Sequence, residues 1–334
     1  MGKVLTVSIA AYQVEDTIER ALESLLDDRI NDDIEIFVVD DGGKDGTLAI
    51  AQKFAEKYPN TVYPIHKENG GYGSTINASL GRATGKYFKQ LDGDDWFIKE
   101  NFIELVQLLK TVDVDCVITE VADYRVSTAQ LTQNEAFASL SEGQYRFDDT
   151  RLDSILTMHG SAIRTDIFRD HHIVIIEKCF YSDTELVVLP MPYMETFYLW
   201  KKPVYVYFIG VEGQSMSLSG IEKHYPDHEK VFWELIDAYA KIDARSKEKR
   251  DLVLRRLVKE AIFHIEFLCC LPIGYEHYRE VKAFGERLRK DYPEIYGELL
   301  KKRKMTKLMW RSRYLAYPIM AVVTRRKYKN RSTT

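Results

Sequence analysis

The chain has 334 residues, 45% of them hydrophobic and 29% charged, which suits one large core with an appendage and excludes a disordered or fibrous polypeptide. Its formal net charge of −4 hides an asymmetry: residues 301–334 carry 12 Lys/Arg and no Asp/Glu, leaving 35 Lys/Arg against 51 Asp/Glu, a net of −16, on the rest. Four cysteines (Cys116, Cys179, Cys269, Cys270) with no Cys-x-x-Cys pair indicate neither a disulfide framework nor a cysteine zinc site and fit reduced thiols in the cytosol.

Residues 4–11 form a compact apolar, β-branched run of the kind found in central strands. Ile18, Ala21, Leu22 and Leu25 then recur at helical spacing, with Glu15 and Asp16 at the N-terminal end where negative charge suits the dipole. A second strand is predicted over 34–39, running into Asp40-Asp41-Gly42-Gly43, and a helix over 47–58 that stops at Pro59. A short strand over 62–66 leads to the glycine-rich loop Asn69-Gly70-Gly71-Tyr72-Gly73, and a helix over 74–83 follows. The strand over 87–91 ends in the acidic cluster Asp92-Gly93-Asp94-Asp95.

Strand and helix thus alternate four times in about 95 residues, the pattern of a parallel α/β sheet with helices on both faces. In such sheets ligands sit outside the carboxyl ends of the strands. Three polar or glycine-bearing segments fall there: Ala11-Tyr12-Gln13, Asp40-Asp41-Gly42 and Asp92-Gly93-Asp94. Beyond a helix over 102–109, strands are expected at 116–119 and 204–208 with an irregular region between them. From about residue 225 the pattern is helical (231–242, 252–268, 278–288, 295–300). The boundary is placed near 220, giving a catalytic domain over 1–220 and a helical region over 221–334.

Carboxylates crowded into four residues repel one another unless a cation or a proton offsets them. Hard divalent ions such as Mg²⁺ or Mn²⁺ take oxygen ligands and keep positions for water and substrate phosphates. Asp94, assisted by Asp92 or Asp95, is therefore a candidate metal ligand. Tyr12 is suited to pack on a base, Asp41 to accept from a pyrimidine N–H, and Gly71 and Gly73 to let backbone approach a nucleotide closely.

These segments, in this order and spacing, resemble a family 2 glycosyltransferase with the GT-A fold over roughly the first 215 residues. The residues that carry the resemblance are 7–13, 38–47 (Val-Val-Asp-Asp-Gly-Gly-Lys-Asp-Gly-Thr), Asn69-Gly70-Gly71 through Asn77, and Leu91-Asp92-Gly93-Asp94-Asp95. The resemblance implies an α/β fold with a mostly parallel sheet and an inverting, Mg²⁺- or Mn²⁺-dependent transferase that uses a nucleotide-diphosphate sugar. It implies that Asp41 reads the base, that Ala11, Tyr12 and Glu15 line the nucleotide pocket, and that Asp92 and Asp94 form the Asp-x-Asp pair. Ala10-Ala11-Tyr12-Gln13 and Gly42-Gly43 depart from the family's usual Pro-Thr-Tyr-Asn and Gly-Ser, which touches turn chemistry more than ligand chemistry.

Inversion by direct displacement needs a base on the face of the sugar opposite the diphosphate. Ser182-Asp183-Thr184-Glu185 matches the family's acidic segment, with Asp183 as the base and Glu185 as second choice. Ser182 and Glu185 also have the spacing of a capping box. By the same resemblance His159 lies near donor sugar and acceptor, and Gln214 and Ser215 belong to a segment that closes over the diphosphate. Trp96 reads as a packing residue.

Residues 305–328 mix aromatic and aliphatic side chains with Lys and Arg, as interfacial helices do, and Pro318 predicts two short helices or a kink. The expected location is cytoplasmic and peripheral on the inner face of the plasma membrane, with residues 301–331 on anionic lipid and a glycan or polyprenyl-linked acceptor nearby; the alternative is packing of this tail on the protein. Nucleic acid is not expected, since no nucleic-acid motif accompanies the basic tail. Two other functions are open on sequence: a sugar-1-phosphate nucleotidyltransferase, which ordinarily has a glycine-rich Arg/Lys loop after the first strand, and a non-catalytic nucleotide-sugar scaffold.

Overall fold

Side chains that alternate along a strand and recur every three or four residues along a helix bury each other when the helix lies across the strands. A computed structural model, which describes residues 2–209 and 218–331, shows this packing in the first 92 residues. There the chain forms β1 (Leu5–Ala11), α1 (Ile18–Leu25), β2 (Ile34–Asp40), α2 (Thr47–Lys57), β3 (Val62–His66), α3 (Tyr72–Leu80) and β4 (Tyr87–Asp92). The order β3-β2-β1-β4 is parallel throughout, with Leu5 level with Ile34 on one side and Tyr87 on the other. Leu5, Val7 and Ile9 of β1 and Ile34, Ile36 and Val38 of β2 share one core with Ile18, Ala21, Leu22 and Leu25 of α1. Each such fully buried aliphatic side chain contributes about 1.5–3 kcal/mol. Ile76 of α3 belongs to a second core that includes Phe88 of β4, so helices cover both faces as the alternation predicts.

After β4 come β5 (Trp96–Phe97), α4 (Lys99–Thr111), β6 (Cys116–Arg125), β7 (Gln130–Asn134), β8 (Gly143–Arg146), β9 (Ser161–Arg164), α5 (Thr165–Asp170), α6 (Glu185–Val188) and β10 (Thr196–Ile209). The sheet continues β4-β9-β6-β10-β5, with β7 on β6 and β8 on β10. β9 is antiparallel to both β4 and β6, placing Ile163 between Phe88 and Cys116, while β6 and β10 are parallel. The α/β fold is the expected one, and the parallel sheet becomes mixed at β9. β7, β8 and β9 lie in the stretch that reads as irregular, because strands of four or five residues are too short for a periodicity to register.

The rest is helical: α7 (Leu218–Ala240), α8 (Lys247–Cys270), α9 (Tyr275–Asp291), α10 (Pro293–Lys302), α11 (Lys304–Arg311) and α12 (Tyr317–Arg331). α7 begins before Tyr225 and carries Pro226 within it, so the proline does not mark its start. Phe232 and Leu235 of α7 and Leu257 and Ala261 of α8 share a core with Phe88, Ile118 and Ile163 of the sheet. Arg313 and Tyr314, at φ 52° and 69°, separate α11 from α12. Pro318 occupies the second position of α12, where its missing N–H has no intrahelical partner to lose. The tail is therefore two helices. α12 buries Tyr317, Met320, Ala321 and Tyr328 and exposes Leu315, just before it, with Ile319, Val322 and Val323. All four cysteines are free and buried.

Candidate active site

The parallel register brings the carboxyl ends of three strands together: Ala10 is level with Asp92, and Ala11 with Asp40. Asp41 N–H donates to the Ala11 carbonyl at 2.8 Å. The Asp41 carboxylate is buried, and its Oδ1 accepts from Lys67 Nζ (2.7 Å), Gly70 N–H (2.9 Å) and Ser74 Oγ (3.3 Å), its Oδ2 from Gly71 N–H (2.8 Å). A carboxylate at the start of α3 meets the unpaired amides of a helix N-terminus. Both Asp41 oxygens thus hold the 67–74 loop.

The two glycines of that loop stand against the chain's own backbone. A Cβ on Gly73 would stand 2.1 Å from the Ile176 carbonyl oxygen, and one on Gly71 (φ +80°) 3.2 Å from the Lys178 backbone. The close approach they permit is to the chain's own segment 175–179, whose Lys178 N–H donates to Gly70 O at 2.5 Å. Tyr12 stands 53% exposed at the rim, next to Gln13 at φ 54°. Glu15 accepts from Gly46 N–H at 2.6 Å and so ties the entrance of α1 to the loop after β2.

Tyr72, the first residue of α3, donates its hydroxyl to Asp92 Oδ1 at 2.6 Å. This connects the Asp41 loop to the acidic cluster. Residues 92–95 form a turn closed by Asp95 N–H to Asp92 O (3.1 Å), which brings the first and fourth side chains together. Asp95 is fully buried and accepts from Tyr205 OH (2.5 Å) and Phe208 N–H (2.7 Å). Ligand atoms of Asp92, Asp95 and His159 lie within 4.8 Å of one another. The carboxylate of Asp94, expected to be the principal metal ligand, is outside this group because it occupies the tip of the turn; its carbonyl accepts from Arg20 Nη2 at 2.7 Å. His159, expected near the sugar, is inside it.

Burial, with the charges of Asp94 and Asp183, pushes the Asp92 carboxyl up to about 7. Burial, with Asp92 and Asp94, pushes Asp95 up to about 9. Burial also raises Asp94. His159 is pushed down to about 3 by burial and by the positive charges of Lys89 and Arg256, so its imidazole is neutral and free to bind a cation. Lys89, itself buried, donates to the His159 carbonyl at 2.7 Å and fixes that turn. Two carboxylates that resist ionisation without a cation and a neutral imidazole beside them form a donor set that fits a divalent metal.

Asp183 sits in a single helical turn over 182–184 that follows Tyr181, a residue in the left-handed region (φ 66°), and precedes α6. It is half-buried. Burial raises its pKa and Arg256 lowers it. Its charge acts on Asp92, Tyr72 and Tyr207. The Ser182–Glu185 capping box does not form: Ser182 Oγ donates to Cys179 O (3.5 Å), and buried Glu185 accepts from Ile176 N–H (2.7 Å). Burial moves Glu185 up to about 7. It braces the 176–185 loop from inside. Gln214 and Ser215 lie outside the described residues.

Sequence reasoning missed Tyr72, Tyr205, Lys67 and Arg256. Tyr72 alone had a usable signal, its place directly after Gly70-Gly71 at a helix start. Trp96 packs as expected, beneath the Arg20 guanidinium at 3.9 Å.

The profile of the family described as Glycosyl transferase family 2 matches residues 6–171, which contain β1 to β4, the acidic turn and His159. The minor teichoic acid biosynthesis protein GgaB of Bacillus subtilis is 27% identical over 234 residues, 68% of this chain and 25% of GgaB. Curated relatives with higher identity align over shorter stretches, and the chain spans about a third or less of these relatives' own length. Among solved structures, residues 1–349 of S. aureus TarS in complex with UDP-GlcNAc superpose with a TM-score of 0.74 at 18% identity, covering 98% of this chain and 92% of that one. The mannosyltransferase PcManGT of Pyrobaculum calidifontis, in complex with GDP-Man and Mn²⁺, superposes at 0.58 with 15% identity, covering 97% and 87%. The fold is accordingly that of the GT-A glycosyltransferases, and through its N-terminal half this chain belongs to the family 2 glycosyltransferases.

Proposed function

We propose that the chain is an inverting transferase that moves a hexose or N-acetylhexosamine from a nucleotide-diphosphate sugar, UDP before GDP, to a hydroxyl of a cell-surface polysaccharide or lipid-linked glycan. One observation carries this reading: ligand atoms of Asp92, Asp95 and His159 lie within 4.8 Å of one another, the charge of Asp183 acts on Asp92, and Tyr72 links that group to the loop around Asp41. Residues 1–220 are the catalytic domain, and 221–334 its helical extension. Ala11, Tyr12 and Glu15 line the nucleotide side, with Tyr12 free to pack on the base. Asp41, Gly71 and Gly73 shape the wall opposite by fixing the loop.

Asp92, Asp95 and His159 would hold the cation, with Asp94 at the solvent edge of the turn. Mn²⁺ or Mg²⁺ bound there supplies positive charge to a departing diphosphate. Tyr72 and Tyr205 orient the two carboxylates through their hydroxyls, as outer-shell partners do. Asp183 accepts the acceptor hydroxyl's proton as that oxygen attacks the anomeric carbon, and the leaving diphosphate exits on the opposite face. A nucleotidyltransferase is disfavoured because Ala10-Ala11-Tyr12-Gln13-Val14 lacks the glycine-rich basic loop. A scaffold would have no use for Asp183.

The tail supports a seat on the membrane. Among the described residues no helix is long and apolar enough to cross a bilayer. One face of α12 packs on the protein, while Leu315 (81% exposed), Ile319 (62%) and Val323 (53%) point outward with Leu308 of α11 (51%). Exposed Lys304, Lys307, Arg311 and Arg326 accompany them, and the segment contains no acid. Apolar side chains flanked by cations suit an anionic lipid surface. Flotation with phosphatidylglycerol vesicles tests this: Leu315→Ser/Ile319→Ser/Val323→Ser should stay behind when the parent floats, and equal behaviour of the two would refute the membrane role.

The decisive test of the transferase reading is a thermal-shift screen of the full chain against nucleotide sugars with and without Mn²⁺. One UDP-sugar should raise the melting temperature, and the rise should vanish with chelator and in Asp95→Ala. A flat response to every UDP- and GDP-sugar in the presence of metal would overturn it.

A further inference from the structure

Away from the acidic turn, a buried set of ionisable groups lies between α7 and α8. His228 Nε2 meets Glu260 Oε2 at 3.0 Å, and Glu260 Oε1 meets Arg256 Nε at 2.8 Å. The side chains are 4%, 9% and 12% exposed, so this is an interior chain of charge and not a solvated surface pair. Interior ion pairs bring costly desolvation and are weak evidence for stability on their own. The far end of this one reaches a functional segment: Arg256 Nη2 donates to Thr184 Oγ1, the residue after Asp183. Of the charges acting on Asp183, that of Arg256 is the largest. The other groups coupled to Asp183 through charge are Glu260 and Lys259 of α8, Asp92 of β4, Tyr72 of α3, Tyr207 of β10 and Glu185 of α6. Among them Glu260 is an anion that works against an ionised Asp183, and Arg256 opposes it.

We propose that Arg256, braced by Glu260 and His228, is a positioning residue that holds the 182–184 turn and keeps Asp183 ionised for proton acceptance. The inference rests on the transferase reading and deepens it, since it makes the helices after residue 218 part of the site. Burial raises the Asp183 carboxyl overall, and Arg256 offsets part of that rise. Glu260 shows the same opposition, burial against Arg256 and His228, and ends low at about 2, so it remains an anion able to anchor the guanidinium.

The experiment uses the full-length, metal-loaded enzyme with its nucleotide sugar. Arg256→Met should lower kcat for transfer by about ten- to a hundredfold, with the donor KM within about twofold. The acid limb of the kcat profile should move up by about one pH unit, as loss of a neighbouring cation requires. Arg256→Lys should recover most of both, and Glu260→Gln should fall between. Unchanged kcat in Arg256→Met would overturn the proposal, as would a loss with an unmoved acid limb and no rescue by Lys. Asp183→Asn separates this from failure of the base assignment: if that variant still transfers, the base is elsewhere. If it is inactive while Arg256→Met is normal, the arginine role alone is wrong. Should no acceptor be found, ¹³C titration of the Asp183 carboxyl decides, because its midpoint must rise in Arg256→Met; an unmoved midpoint refutes the role.

Discussion

Between β3 and β4 every strand is parallel, and each candidate residue lies within a few positions of a buried run: Tyr12 after β1, Asp41 after β2, Asp92 at the end of β4. On the β9–β6–β10 side, His159 precedes a four-residue strand, Tyr205 comes from the middle of a long one, and Asp183 from a one-turn helix. The first region places its residues by hydrophobic registration. The second places them by buried polar contacts, such as Lys89 to the His159 carbonyl, Glu185 to Ile176, and Arg256 to Thr184. A strand end is positioned by many small apolar contributions and tolerates substitution, whereas a loop held by one buried carboxylate depends on that group.

The sharpest break of this comparison is Asp183→Asn. Transfer should fall by about 10²–10⁴-fold while calorimetric affinity for the nucleotide sugar is unchanged; retained transfer would strip the second region of its chemical role. Next come Tyr72→Phe and Tyr205→Phe, one hydroxyl from each region. Each should weaken Mn²⁺ binding about 10–100-fold, as read by electron paramagnetic resonance titration. Equal losses would show that the regions meet at the metal as partners, and a loss from one alone would assign the site to that side.

pH offers a third test, on stability without metal. Asp92 and Asp95 have folded values of about 7 and about 9 against 3.8 when free. Between those values the folded chain binds more protons than the unfolded one, so raising pH favours unfolding. Metal-free protein should therefore lose stability from about pH 4 to pH 9, by on the order of a few kcal/mol, in urea titrations. Mn²⁺ should protect more at pH 8 than at pH 6, and a flat profile would mean the carboxylates are not protonated in the cleft.

Asp41→Asn should cost about 1–3 kcal/mol because Lys67 loses its counter-charge and the 67–74 loop its acceptor, measured by urea unfolding. An unchanged midpoint would show that the loop does not need the carboxylate. The smallest expected stability effect is at the exposed apolar residues of α12 and just before it, where Ile319→Ser or Leu315→Ser should stay within about 0.5 kcal/mol. A large loss there would mean that this face is covered in the intact protein.

The strands and helices of the first half were readable because each is a run long enough to show its period, and the acidic turn announced itself by charge density. The short strands β7, β8 and β9 were not, and the helical pattern reads from about residue 225, whereas α7 begins at Leu218. Within the site, Asp92, Asp95 and Asp183 were legible as residues, yet the division of labour was not. Asp94 leads as metal ligand by motif, whereas the turn closed by Asp95 N–H brings ligand atoms of Asp92, Asp95 and His159 within 4.8 Å of one another. Gly71 and Gly73 were legible as positions of close approach, but which backbone approaches is decided by residues about a hundred positions later.

By itself, the order of residues determined the α/β alternation, the strand ends that meet, and the family, because hydrophobic period and turn chemistry are local. Only the tertiary structure decided that Tyr72 joins the Asp41 loop to Asp92, that His159 turns toward two carboxylates, and that Arg256 reaches Thr184, beside Asp183, from a helix more than seventy residues away. Such pairings depend on burial and on charges brought close through space, and neither quantity exists until the chain has folded.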